Sequence, residues 1–273
     1  MLNESYIAER IEQIKGLAEG DMKGIYATCL SCVDLTTLSP CDTEQSVRAF
    51  AERAVVLCQE HPEFGRVASL CVYPPFVECV GMVVDGSGLS ITAVAGGFPS
   101  SQTFLEVKAL EVAMAVESGA DEIDIVIAVG EILEGRYDEA QSEVEMLRQE
   151  IGDESVTLKV ILETGELKTP ELIYAAAMVA MRGGADFIKT STGKTALSAT
   201  PEAAIVMCQA IKDFEVESGR KVGIKVAGGV RTAADCALYY RIVEAELGCD
   251  WLTPSLFRIG ASAALDNLLA ELV

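Results

Sequence analysis

The sequence predicts a (β/α)₈ TIM barrel with one extra helix at its N-terminus, and three observations carry that reading. Eight apolar runs with strand character alternate with helical patterns along the 273 residues. No Pro/Ser-rich linker or block of like charge divides them, so residues 1–273 read as one domain, with 1–20 as the helix ahead of the barrel. "SGADEID", "GGADFIK" and "LGCDWLT" repeat Gly-x-Asp at strand starts, with glycines at 119, 184 and 248, two strand–helix units apart. An open doubly wound sheet is the other architecture such alternation allows.

The elements follow in order. Ile7, Ile11, Ile14 and Ala18 share one face of the N-terminal helix. "YATCLSCVDL" (26–35) reads as the first strand, and Asp42-Thr43 caps a helix with an apolar face at Val47, Phe50, Ala54, Val55 and Cys58. "RVASLCVYP" (66–74) and "LSITAVAGG" (89–97) are the next strands, the first followed by a short helix from Pro75 and the second by a helix over about 102–118. "DEIDIVIAV" (121–129), "VTLKVILET" (156–164), "DFIKTS" (186–191), "KVGIKVAGG" (221–229) and "CDWLTPS" (249–255) complete the eight.

Composition narrows the function. Lys and Arg number 21 against 42 Asp and Glu, a net charge of −21, which argues against nucleic acid or an anionic membrane as partner. Apolar runs such as "YAAAMVAM" (174–181) are too short to span a bilayer, and the first residues lack a basic start and an apolar core, so the expected location is the cytoplasm. Nine cysteines, an odd number, fit reduced thiols packed in a core. Cys29 and Cys32 form a CxxC without a second pair, and His61 is the one histidine, so no zinc site is expected.

Charged residues interrupt the apolar strands. Asp124 sits between Ile123 and Ile125, Lys159 between Leu158 and Val160, Lys189 after Ile188, and Lys225 between Ile224 and Val226. Side chains alternate faces along a strand, so with the aliphatic neighbours packed outward these charges point into the barrel. Three lysines and one aspartate do not neutralise, and Asp34 and Glu163 are candidates to join them. Crowded, desolvated ammonium groups lose affinity for their protons. An ordinary lysine has less than ~0.1% neutral amine at pH 7, and a pKa near about 7 makes roughly half nucleophilic. That state attacks carbonyl carbon and forms a Schiff base. Lys189 fits this role because Thr190, Ser191 and Thr192 follow it where a strand opens into its loop; Lys225 supplies the perturbing charge and Asp124 moves protons. A structural ion-pair cluster is the other explanation of the same residues.

Two glycine clusters follow the last strands. "GGVRTAADCALYY" (228–240) precedes a helix capped by Thr232, and "RIGASAALDNLL" (258–269) reads as a Gly-Ala-Ser turn opening the last helix. Barrels commonly hold phosphate at these loops. "STGKT" (191–195) is not a nucleotide P-loop, because position 188, where that motif requires its first glycine, is Ile.

Together "VDLTTL" (33–38), "DEIDIV" (121–126), "KVILETGEL" (159–167), "ADFIKTSTGK" (185–194) and "VGIKVAGGVRT" (222–232) resemble the deoxyribose-phosphate aldolase family. The resemblance implies a metal-free and cofactor-free class I aldolase of the (β/α)₈ fold. Such an enzyme reversibly cleaves 2-deoxy-D-ribose 5-phosphate to D-glyceraldehyde 3-phosphate and acetaldehyde, as part of deoxyribonucleotide and carbohydrate breakdown. It assigns the Schiff-base lysine to Lys189, the pKa-lowering lysine to Lys225 and the proton-transfer aspartate to Asp124, with Lys159 as a supporting charge. Asp34 becomes a substrate-hydroxyl or network contact. The phosphate cup falls on Gly193, Lys194, Gly228, Gly229, Gly260 and Ser262, and Thr192 is a further substrate-binding candidate. A homodimer is expected, and cleavage is placed at C3–C4. Three features depart from the family: Val226 replaces a frequent proline, "IVIAVGEIL" after Asp124 follows no single family version, and "LAELV" carries no terminal tyrosine, so Asp124 and water are expected to protonate the enamine. Other class I aldolases or transaldolases, and a non-catalytic phosphosugar-binding barrel, are the competing readings.

Overall fold

Eight parallel strands close on themselves in sequence order. They are β1 (Val33–Thr36), β2 (Ser69–Val72), β3 (Ser90–Ala95), β4 (Glu122–Val126), β5 (Thr157–Ile161), β6 (Phe187–Lys189), β7 (Gly223–Ala227) and β8 (Phe257–Ala261). The structure is a computed structural model that describes residues 3–17 and 20–273. Closure rests on β1 pairing with β8, Asp34 opposite Gly260, which excludes the open sheet. Ile123, Ile125, Leu158, Val160, Ile188, Ile224 and Val226 are fully buried in the apolar core between strands and helices, the outward half of the strand alternation.

The N-terminus differs from expectation. Helix α1 (Glu4–Lys15) buries Ile7, Ile11 and Ile14 against the barrel's late helices, with Arg10 donating to Glu246 at 2.6 Å; Ala18 lies outside the described residues. The run read as a strand from residue 26 is largely a second helix, α2 (Met22–Ser31), and the strand is Val33–Thr36. Asp21 caps α2 by accepting from the Gly24 N–H at 3.1 Å, and a short apolar run has no period that separates helix from strand. Cys29 and Cys32 are free thiols in the core at its end, and burial pushes the Cys32 thiol up to about 12.

The last strand also moves. Residues 249–251 form a 3₁₀ turn whose Trp251 indole donates to the Val222 carbonyl at 3.0 Å, Pro254 interrupts the following chain, and β8 begins at Phe257. Gly260 is therefore part of a strand rather than a turn, and a Cβ there would lie 2.8 Å from Ala227 Cβ. The Gly-x-Asp echo has a physical basis at two of its three sites. Asp121 and Asp186 each accept from the N–H of a neighbouring strand residue, Ile91 and Leu158, at 2.8 Å. Asp250 points to solvent near Lys221.

Helices fill the other crossovers: α3 (Glu44–Glu60), α4 (Val77–Val84), α5 (Leu105–Glu117), α6 (Val129–Leu133), α7 (Tyr137–Ile151), α8 (Thr164–Leu167), α9 (Pro170–Arg182), α10 (Pro201–Ser218), α11 (Ala233–Leu247) and α12 (Ala264–Leu272). Thr200 caps α10 ahead of Pro201, and Thr232 and Asp235 form a reciprocal capping box on α11. These caps fix where the loops after β6 and β7 end.

Candidate active site

The inward faces of the strands carry an ion network. Asp124 lies opposite Lys159 in register, and Lys189 opposite Lys225. Lys189 Nζ and Lys225 Nζ both donate to Asp124 Oδ2 at 2.7 Å, while Lys159 donates to Oδ1 at 2.9 Å. Lys225 also meets Asp34 Oδ2 at 2.5 Å. Behind them, Arg258 donates to Asp34 at 2.5 Å and to Glu122 at 2.7 Å, and Lys159 meets Glu122 at 2.5 Å. Thr92 donates to Glu122 at 2.7 Å and shares a hydrogen bond with Ser69 at 2.8 Å.

Four cations therefore face three carboxylates, all of them buried. Burial alone would push the Asp124 carboxyl up, but Lys159, Lys189 and Lys225 outweigh it and hold it well below the usual range. The same competition lowers Asp34, through Arg258, Lys225 and Lys159. Lys225 is held above an ordinary lysine: burial opposes its charge, but Asp124 and Asp34 overcome that. Lys189 goes the other way. Burial pushes it down, its one close carboxylate restores part of that, and the Lys225 charge pushes it down again. A neutral Lys189 would leave three cations against three anions, so the surplus charge and the depressed lysine coincide.

Lys189 ends β6 at the floor of a cavity of about 570 Å³, built by the loops after β1, β6, β7 and β8. Among the described residues, it is the network cation that reaches that cavity. The mouth holds Thr192, Gly193, Lys194, Gly228, Gly229, Gly260 and Ser262, all seven residues expected there, together with Arg231 and Thr36. Gly228 has φ +84°, and a Cβ there would lie 2.6 Å from the Ser198 side chain, so the β6 and β7 loops approach as closely as they do because the residue is glycine. The Thr190 hydroxyl ties the same two strands, donating to the Ala227 carbonyl at 3.0 Å and accepting its N–H at 2.9 Å. Lys194 Nζ donates to the Leu38 carbonyl at 2.5 Å across the opening.

Asp34, Asp124, Lys159 and Lys225 lie beneath the cavity rather than in its lining. Asp34 is thus a network contact, with its oxygens on Arg258 and Lys225. Glu163 does not join the network: it turns toward the β6 loop, accepting from the Thr192 hydroxyl at 2.5 Å and its N–H at 3.2 Å. Glu122 and Arg258 were not expected. Glu122 has a readable signal, since it sits two residues before Asp124 on the same face, but an acid at a strand start also reads as a turn residue. Arg258 lies on β8, beyond the 249–255 run that carries the strand signal. Cys71, on β2, is a buried thiol that desolvation pushes up.

A buried lysine whose proton affinity burial and a neighbouring lysine lower, at the floor of a cavity, is what carbonyl chemistry through an imine requires, and this barrel falls in the class I aldolases. The chain belongs to the DeoC/LacD family aldolases, whose family model matches residues 28–246. It is 39% identical over 280 residues to the Homo sapiens deoxyribose-phosphate aldolase, covering 98% of this chain and 87% of that one. The Mus musculus enzyme of the same name is 40% identical with the same coverage. The barrel superposes on the deoxyribose phosphate aldolase of Aeropyrum pernix with a TM-score of 0.72 at 24% identity, over 99% of this chain and 98% of that one, a likeness of fold. Among the described residues, no helix is long and apolar enough to cross a membrane.

Proposed function

We propose that this protein is a deoxyribose-phosphate aldolase, acting through an imine on Lys189 in one domain spanning the chain. The observation that carries this reading is the position of Lys189: an amine pushed toward neutrality, 2.7 Å from the Asp124 carboxylate, at the closed end of a cavity whose open end is lined by glycines and Lys194.

The neutral amine attacks C1 of the open-chain sugar, and Asp124, acting through water, helps transfer the amine proton to the oxygen that leaves as water. The resulting iminium is the electron sink. A two-carbon product requires the bond one carbon removed from C1 to break, so cleavage falls at C2–C3 and not at C3–C4. The C3 hydroxyl loses its proton, the C2–C3 electron pair becomes the enamine double bond, and glyceraldehyde 3-phosphate departs. Protonation at C2 and hydrolysis release acetaldehyde and restore Lys189. The sugar phosphate fits the mouth, where Gly193, Gly228 and Gly229 expose backbone between Lys194 and Arg231. Lys225 stays charged and keeps its neighbour's proton labile; Lys159 holds the other oxygen of Asp124.

Nine free cysteines support a reducing compartment such as the cytoplasm. Val107, Leu110 and Met114, exposed along one side of α5, support a homodimer. The chemistry is tested by borohydride reduction with acetaldehyde. A two-carbon adduct on the Lys189 peptide is expected by mass spectrometry; an unmodified Lys189 overturns the mechanism and favours a non-catalytic barrel.

A further inference from the structure

Glu163 follows β5 with φ +55° and ψ 56°, a left-handed backbone that a non-glycine residue rarely adopts, and its side chain is buried. Its partners are neutral: the Thr192 hydroxyl at 2.5 Å, the Thr192 N–H at 3.2 Å and the Thr195 hydroxyl at 3.3 Å. Backbone strain and a desolvated carboxylate both cost stability, and such strain concentrates where geometry serves function. All three bonds go to the loop after β6. Because the Thr192 hydroxyl gives its proton to Glu163, its oxygen is free to accept from the Lys194 N–H at 3.1 Å. A chain of hydrogen bonds thus runs from the carboxylate to the backbone on both sides of Gly193.

A second contact locks the same segments. Gly165 lies so close beneath the loop that a Cβ would sit 2.1 Å from the Leu197 carbonyl oxygen. Gly193 in turn packs beside Gly228, whose Cα would lie 3.8 Å from a Cβ built on Gly193. Glu163 does not line the cavity, and of its two threonine partners Thr192 does, so its reach into the lining passes through Thr192. We propose that Glu163 is a positioning residue that sets phosphate selectivity by holding the Thr192–Lys194 backbone in its anion-facing shape. This rests on the assignment of the mouth to phosphate under the proposed function.

The test compares kcat/KM for 2-deoxyribose 5-phosphate with that for unphosphorylated 2-deoxyribose in the wild type, Glu163→Asn, Glu163→Gln, Thr192→Val and the Asn/Val double variant. Asparagine accepts the left-handed backbone readily but is too short to reach Thr192, so it separates the contact from the fold. The phosphate preference is expected to fall about tenfold in Glu163→Asn and in Thr192→Val, and about threefold in Glu163→Gln, mainly through KM. The double variant is expected to match the worse single one, because the two residues act in series. An unchanged preference in Glu163→Asn, equal losses on both substrates, or additive losses in the double variant overturn the positioning role. A wild type that does not prefer the phosphorylated sugar overturns instead the phosphate assignment beneath it.

Discussion

At the floor of the barrel, Asp34, Glu122, Asp124, Lys159, Lys189, Lys225 and Arg258 meet buried, each bonded to an oppositely charged neighbour, and Lys189 alone among them reaches the cavity. At the mouth, glycine backbone and hydroxyls stand beside Leu38, Pro40 and Val230, with charge supplied by Lys194 and Arg231. The difference separates two tasks. Low-dielectric surroundings make each proton on the floor depend on every other charge there, which suits chemistry. Exposed backbone donors bind an anion without responding to pH, which suits recognition. Substitutions on the floor should therefore change rate and pH profile, and those at the mouth should change KM.

The sharpest break of that distinction is Lys225→Met. Lys225 lowers Lys189, so its removal favours the Lys189 ammonium and moves the rising limb of the pH–rate profile to higher pH. The rate at neutral pH is expected to fall about 100-fold. A limb that stays in place would assign the depression of Lys189 to burial and leave Lys225 with its counterion role. Next in size is Gly228→Ala. A side chain there meets Ser198 at 2.6 Å on a φ of +84°, and KM for the sugar phosphate is expected to rise about tenfold with kcat within about twofold. A comparable fall in kcat would show that floor and mouth are mechanically coupled.

The smallest effect concerns stability. The folded state disfavours the charged form of Lys189, so this residue costs stability below its depressed pKa, and the cost fades as pH rises through that value. Lys189→Met, although inactive, is expected to melt about 2–4 °C above the wild type at pH 7, with the gap closing toward alkaline pH. The carboxylates carry the opposite sign. Asp34, Glu122 and Asp124 are depressed, so their contribution is complete above the ordinary carboxylate range and is lost as pH falls below it. Thermal melts across pH measure both trends.

The barrel and its lumen lysines were legible because charged residues flanked by isoleucine, leucine or valine on a strand have one face available to them. The strand ends were harder. A six-residue stretch such as "CLSCVD" supports helix and strand equally, and only the Asp21 cap and the packing of α2 on α11 and α12 decide. Around Trp251 the apolar signal belonged to a core anchor and not to a strand, since its indole reaches back to Val222. Which counterion serves which lysine was not legible at all. Lys225 and Asp124 stand 101 residues apart, and their contact depends on the register of four successive strands. Glu163 illustrates the same limit: its direction is set by a left-handed backbone that no sequence period encodes.

The pairing of Lys189 directly opposite Lys225 on adjacent strands carries a final consequence. The two amines have the same length, the same inward direction and a shared contact on one oxygen of Asp124. They differ in that Lys225 has a second anion, Asp34, which Arg258 holds in place. The difference in proton affinity between the twin amines is thus written beneath the cavity, in residues outside its lining. Drift at Asp34 or Arg258 shifts the proton affinity of Lys225, and through it that of Lys189, while leaving every cavity-lining residue unchanged.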